Sequence, residues 1–161
     1  MLRLASASPR RIELLTALGV EFEAVAPEID ENEFPEPALA KAEAVARGDG
    51  VTLGADTLVL VDREVLGKPR DVGHARAMLH RLAGREHIVR TAVALLGVAG
   101  RRIGFAVRSR VWAKPADPGS IEAFLATGEP LGKAGAYNIQ GAGSALIARY
   151  EGCYANIVGL P

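Results

Sequence analysis

The chain has 161 residues with 19 basic and 19 acidic side chains, 49% hydrophobic residues and 5% aromatic ones. That is enough for one domain with a real core, while the zero net charge argues against a general nucleic-acid binder and the few aromatics against a single-strand stacking platform. The lone cysteine, Cys153, excludes an internal disulfide and reads as a buried, inert thiol; the sequence also lacks a run of ~18 apolar residues and a signal-peptide pattern, so a cytoplasmic protein without a membrane partner is expected.

In chain order, Leu2–Ala5 reads as a short apolar strand that runs into Ser6 and Ser8. Pro9 suits a first helical position, where its missing N–H would be unpaired anyway. Ile12, Leu14, Leu15 and Leu18 then predict a helix that Gly19 ends. Arg10 and Arg11 fall in its first turn, where the backbone already carries partial positive charge. Two cations there are unfavourable unless an anion offsets them. Free N–H groups, serine hydroxyls and guanidinium forks together suit a phosphate. An ordinary strand–turn–helix with solvated arginines is the simpler alternative.

Phe22–Val25 reads as a strand, followed by an acidic loop holding Glu28, Asp30, Glu31 and Glu33. Such a loop is either a solvated face or a source of oxygen ligands for Mg²⁺ or Mn²⁺. The alanine-rich stretch 37–47 predicts a helix that carries Lys41. Val51–Val61 predicts a buried strand interrupted by a single carboxylate, Asp56. A buried carboxylate is costly unless it is hydrogen-bonded, paired or bound to a cation. Gly54 and Ala55 leave room beside it that an approaching ligand would need, and Thr57 adds a hydroxyl.

Asp62-Arg63-Glu64 turns the chain and Val65-Leu66 returns it to Gly67-Lys68-Pro69-Arg70, a rigid loop with two cations. Asp71 is placed to cap a helix over 72–82. Two long strands, 87–96 and 103–112, predict an antiparallel ribbon in a mixed sheet; the second alternates Val107, Ser109 and Val111 with Arg108, Arg110 and Trp112. A helix over 118–126 precedes a glycine-rich stretch over 127–143 that carries Lys133, Tyr137, Asn138 and Gln140. That stretch reads as a long flexible loop or as a ligand loop, and it lacks the spacing of a P-loop or a Rossmann fingerprint. A last strand pair, 144–150 with 153–158, is expected to close the chain.

The polar residues that interrupt the apolar pattern are therefore cations (Arg10, Arg11, Lys41, Lys68, Lys133) and carboxylates (Asp56 and the 28–33 loop). Cations bind phosphates and carboxylates hold a divalent metal, and phosphoryl chemistry on a nucleotide needs both. No Ser/His/Asp or Cys/His arrangement stands out, so a carboxylate is the simplest base.

Seven ordered motifs at consistent separations carry a more specific signal. They are Leu4-Ala-Ser-Ala-Ser-Pro-Arg-Arg11, Ile29-Asp-Glu31, Lys41-Ala42, Gly54-Ala-Asp-Thr57, Gly67-Lys-Pro-Arg-Asp71, Lys133-Ala-Gly-Ala-Tyr-Asn-Ile-Gln-Gly141 and Val158-Gly-Leu-Pro161. Along nearly its whole length the chain resembles the Maf family of nucleoside triphosphate pyrophosphatases. The resemblance implies a single domain over 1–161 with an α/β fold like that of inosine triphosphatases: an elongated mixed sheet with flanking helices and two lobes around a deep cleft. It implies hydrolysis between the α and β phosphates with a divalent cation, Mg²⁺, Mn²⁺ or Co²⁺. By motif, Asp56 matches the base that activates water, and Glu31 a second carboxylate that shares the metal with it. Ser8, Arg10, Lys41 and Lys68 match phosphate and catalytic contacts, and Arg11 and Lys133 join the substrate-binding set. Arg10, Thr57 and Gln140 match positions tied to substrate choice. The Ile139-Gln140-Gly141 form resembles the subgroup acting on dTTP and UTP; a 7-methyl-GTP pyrophosphatase and a nucleotide-binding regulator of cell division or septum formation are the alternatives. A homodimer is compatible with the resemblance, and no nucleic-acid partner is implied. The chain departs from the family in three places. Only nine residues separate Glu31 from Lys41, a shorter segment than usual, Asn138 stands where glycine is common, and the chain stops at Pro161 where the family continues into a helix.

Overall fold

Proline at the first helical position opens three helices, α1 (Pro9–Ala17), α2 (Pro37–Val45) and α4 (Pro118–Ala126). A fourth, α3 (Val72–Leu82), starts as expected on Asp71, whose carboxylate accepts the His74 N–H at 2.7 Å. In this computed structural model, which describes residues 1–161 except for the Asn32 side chain, the strands are β1 (Leu2–Ala5), β2 (Phe22–Val25), β3 (Val51–Val61), β4 (Glu64–Leu66), β5 (Glu86–Leu96), β6 (Arg102–Ala113) and β7 (Ile147–Glu151). They form a mixed sheet in the order β2-β1-β3-β5-β6-β7, with β4 on β3. β1 runs parallel to β2 and to β3, while β4 and β7 pair antiparallel with β3 and β6. Among the described residues no helix is long and apolar enough to cross a membrane.

The chain divides into two compact units. The first holds Met1–Asp56, Thr91–Val107 and Gly159–Pro161; the second holds Thr57–Arg90 and Arg108–Val158. In the first, Leu4 of β1, Leu15 of α1, Ala55 of β3, Val93 of β5 and Leu160 form a buried core, with Ile12, Leu14, Phe22 and Leu53 packed on it. In the second, Ala75, Met78, Leu79 and Leu82 turn one face of α3 inward, and Ser109 and Val111 of β6 are buried while Arg108 and Arg110 are exposed, as the alternation predicts.

Three expectations are corrected. The last segment is not a strand pair. Gly141–Leu146 is a 3₁₀ turn, β7 begins only at Ile147, and Tyr154–Val158 is a short helix, α5. Tertiary bonds override the apolar run 153–158. The fully buried Asn156 side chain donates to the Val89 carbonyl at 3.0 Å and to Ser109 Oγ at 2.9 Å. Ser109 Oγ in turn donates to the Cys153 carbonyl at 3.0 Å, and the Ile157 N–H closes a helical bond onto that same carbonyl at 3.3 Å. Cys153 is half-buried rather than enclosed. Finally, the space beside Gly54 serves no ligand: a Cβ there would lie 2.0 Å from the Ala38 carbonyl oxygen, so glycine lets α2 press its backbone against β3.

Candidate active site

That close approach of α2 to β3 builds the centre of the first unit. Lys41 lies four residues from the end of α2, and its side chain is buried, as is that of Asp56 on β3. Lys41 Nζ is 2.8 Å from Asp56 Oδ1 and 3.2 Å from Glu31 Oε1, and it donates to the Ala55 carbonyl at 3.4 Å. Glu31 comes from the 3₁₀ turn Glu31–Glu33. The short segment between Glu31 and Lys41 therefore brings both to Asp56. Of the four carboxylates in the 28–33 loop, Glu31 is the one paired with Lys41.

The opening loop is fastened in a way the sequence leaves open. The Ser6 hydroxyl accepts the Ser8 N–H at 3.1 Å, a serine turn, and it also accepts Arg11 Nη1 at 3.3 Å. Arg11 Nε donates to the Gly159 carbonyl at 2.9 Å. Arg11 thus ties the Ser6–Ser8 turn to the chain just beyond α5, and its charge sits in the field of Asp56 and Glu31. Burial pushes the guanidinium down from its ordinary value, and those two carboxylates push it back up. Its carboxylate neighbours offset the helix-start cation that appeared unfavourable in the sequence. Ser8 is the residue before α1, and its hydroxyl makes no capping bond to the helix. Arg10 is half-buried on the first turn of α1.

The second unit carries the remaining candidates, Thr57, Lys68, Lys133 and Gln140. Gly135 N–H donates to the Gly67 carbonyl at 3.0 Å, which joins the 133–140 segment to the turn bearing Lys68. Gly135 has a left-handed backbone (φ +68°), and a Cβ there would lie 3.0 Å from Val59 of β3, so the position needs glycine twice over. The segment is no flexible loop. Glu129 accepts the Ala142 N–H at 3.1 Å and the Gly143 N–H at 3.3 Å, and its carbonyl accepts Lys133 Nζ. Tyr137 is buried with its hydroxyl 2.7 Å from His87 Nε2, the two rings meeting edge to face. Lys68 is exposed, and Gln140, next to the Glu129 clasp, is half-buried. Ser6, Glu129, His87 and Tyr137 as fixing points are not legible in the sequence; the Ser-x-Ser spacing is the one signal that points to any of them.

A family model described as Maf-like protein matches residues 1–161. The chain belongs to the Maf family. Among its relatives, this Maf chain is 48% identical to a dTTP/UTP pyrophosphatase of Moorella thermoacetica and 47% identical to one of Geotalea uraniireducens, in each case over 98% of the chain and 88% of the relative. It is 44% identical to a dTTP/UTP pyrophosphatase of Syntrophomonas wolfei over 98% of the chain and 90% of that protein. The fold is similar to that of the Staphylococcus aureus Ham1 protein, with a TM-score of 0.52 at 15% identity over 70% of this chain and 71% of that one. The mixed α/β architecture that the motifs imply is thus the one observed.

The donor set can be tested against a divalent cation. Asp56 and Glu31 offer hard carboxylate oxygens around one point, which suits Mg²⁺ or Mn²⁺. Among the described residues, however, no group of three or more His, Cys, Asp and Glu side chains comes together. Two carboxylates fit the way Mg²⁺ is commonly held, by one or two protein oxygens with the rest supplied by water and substrate phosphates.

Proposed function

We propose that the chain hydrolyses dTTP and UTP to the nucleoside monophosphate and pyrophosphate. One observation carries the reading: a carboxylate buried in the middle of a strand, Asp56, is oriented by Lys41 at 2.8 Å with a second carboxylate, Glu31, on the same ammonium. A merely structural carboxylate in an apolar strand would need one partner; this one sits in a cluster of four charged groups with Arg11. The name shared by the relatives supports the substrate class.

In the mechanism, Asp56 accepts a proton from water as the oxygen attacks the α-phosphorus in line. The new P–O bond forms as the bond from the α-phosphorus to the bridging oxygen breaks, and pyrophosphate leaves with that oxygen. Lys41 holds the Asp56 carboxylate in place. Ser8 and Arg10, at the start of α1, bind phosphate oxygens, with Arg11 holding their turn. By family motif alone, Lys68 is assigned to the leaving pyrophosphate, Lys133 to added charge, and Thr57 and Gln140 to the base, the glutamine amide matching the donor–acceptor edge of a pyrimidine imide. Asp56 and Glu31 would hold a divalent cation, which when bound supplies positive charge against the phosphate oxygens.

The test is pyrophosphate release by the purified chain with Mg²⁺ and a panel of dTTP, UTP, CTP and 7-methyl-GTP. Release from dTTP and UTP above the others is expected. Binding without release points to the regulator, and preference for 7-methyl-GTP overturns the pyrimidine assignment.

A further inference from the structure

The Lys41 ammonium donates to Asp56 Oδ1 and to the Ala55 carbonyl, and it pairs with Glu31 Oε1 at 3.2 Å. The same two carboxylates are those that would hold a divalent cation. Lys41 and Asp56 are 5% and 7% exposed, so this pair is held largely out of water, where a charge that loses its partner is costly.

We propose that Lys41 is an internal counter-ion that satisfies Asp56 and Glu31 in the nucleotide-free protein and makes divalent-metal binding conditional on the triphosphate. A bare divalent ion would compete with a tethered ammonium for both carboxylates and would add two positive charges beside Lys41. A metal–triphosphate complex carries net negative charge and brings its own phosphate oxygens to the ion, so the added charge is offset and the ion depends less on the two carboxylates. The metal thus enters as part of the substrate rather than waiting for it. This protects the carboxylates from being saturated by metal alone, and it separates the holding of Asp56 from the supply of charge to the phosphates. The inference rests on the pyrophosphatase reading only for the identity of the anion.

The test reads metal binding directly. Mn²⁺ is titrated into the full chain and followed by the loss of the free-ion paramagnetic resonance signal, without nucleotide and with a non-hydrolysable α,β-imido analogue of dTTP, after correction for the analogue's own affinity. The wild-type chain should show no saturable Mn²⁺ site alone and one saturable site with the analogue. In Lys41→Met, and in Lys41→Gln should Lys41→Met fail to fold, one Mn²⁺ should bind without nucleotide and raise the melting temperature. Adding Asp56→Asn to either should abolish that gain. Saturable Mn²⁺ binding by the nucleotide-free wild type as tight as in the Lys41 variants overturns the proposal. So does absence of Mn²⁺ binding in a folded Lys41 variant. Should neither variant fold, the wild-type titrations decide: a metal site without nucleotide overturns the proposal, and one that needs the analogue supports it. The arms without nucleotide do not depend on turnover, so a chain that released no pyrophosphate would refute the proposed function and still be scored here.

Discussion

Each unit buries a polar grouping among its candidate residues or beside them, and these two are built on opposite principles. In the first, Lys41, Asp56 and Glu31 are charged and held by ion pairs of 2.8 and 3.2 Å. In the second, His87 and Tyr137 share one hydrogen bond of 2.7 Å, and burial keeps both neutral: it pushes the His87 imidazolium down to about 4 and the Tyr137 phenol up. A neutral pair in an apolar pocket lined by Leu79, Leu82, Ile121 and Leu146 serves to fix a segment in space. A set of opposed charges can trade one partner for another when an ion arrives. The first grouping is therefore where chemistry is expected and the second where rigidity is expected, and substitutions should separate the two.

The largest expected effect falls on the charged grouping. Asp56→Asn keeps the size of the side chain and an oxygen for Lys41, whose other partner Glu31 remains. Pyrophosphate release should fall about 10²–10⁴-fold, the range for loss of a general base, while circular dichroism shows the fold kept. Near-normal turnover would remove Asp56 from the role of base.

How far was this contrast visible before the structure? The charged grouping was half visible. Asp56 stands out because a carboxylate breaks an apolar run, and Lys41 and Glu31 stand out by motif. What no spacing discloses is that one ammonium serves both carboxylates, because that depends on how α2 meets β3, and Gly54, read as ligand space, is the residue that lets it. The helices and most strands follow from local signals, namely Pro9, Pro37 and Pro118 at helix starts and Asp71 at a cap. The failure at 153–158 has the opposite cause: a short apolar run carries no period long enough to tell helix from strand, and the bonds of Asn156 to Val89 and Ser109 decide it from a distance. His87 was unremarkable for the same reason, since its partner lies 50 residues away.

The neutral pair can be broken with acid. His87 has a folded pKa of about 4 against an ordinary 6.5, so the unfolded chain takes up the proton first as pH falls. Stability from this source is complete above about pH 6.5 and is lost progressively as pH falls through 4, by about 3 kcal/mol in all. Carboxylates titrate in the same range, so the measurement is a difference: urea unfolding of wild type and His87→Gln at several pH values. The wild type should lose more stability than the variant between neutral pH and pH 4. Parallel losses would show that His87 is not held neutral.

A smaller effect comes from disturbing the charged grouping without touching a charge. In Gly54→Ala the new methyl must displace the Ala38 carbonyl, and α2 with it. Crowding of this kind costs about 1–3 kcal/mol. Because α2 carries Lys41, turnover should fall together with stability. A variant as stable as wild type but with impaired turnover would show that Gly54 faces a ligand after all.

The smallest effect is the most discriminating. Tyr137→Phe keeps the ring that packs edge to face on His87 and removes only the hydroxyl. His87 Nε2 is then left in an apolar pocket without that partner, at a cost of about 1–2 kcal/mol in urea unfolding. Tyr137 does not take part in the proposed chemistry, so kcat for dTTP should be retained within experimental spread. It does lie between Lys133 and Gln140 on a segment otherwise fixed by Glu129 and by the Gly135–Gly67 bond. With those two ties intact, KM should rise only slightly, and the preference for dTTP over CTP should weaken before kcat does. Loss of kcat with no loss of stability would place Tyr137 at the reacting phosphate and erase the distinction between the two groupings. Loss of stability with kcat unchanged, set beside loss of turnover in a folded Asp56→Asn chain, would establish it from both sides.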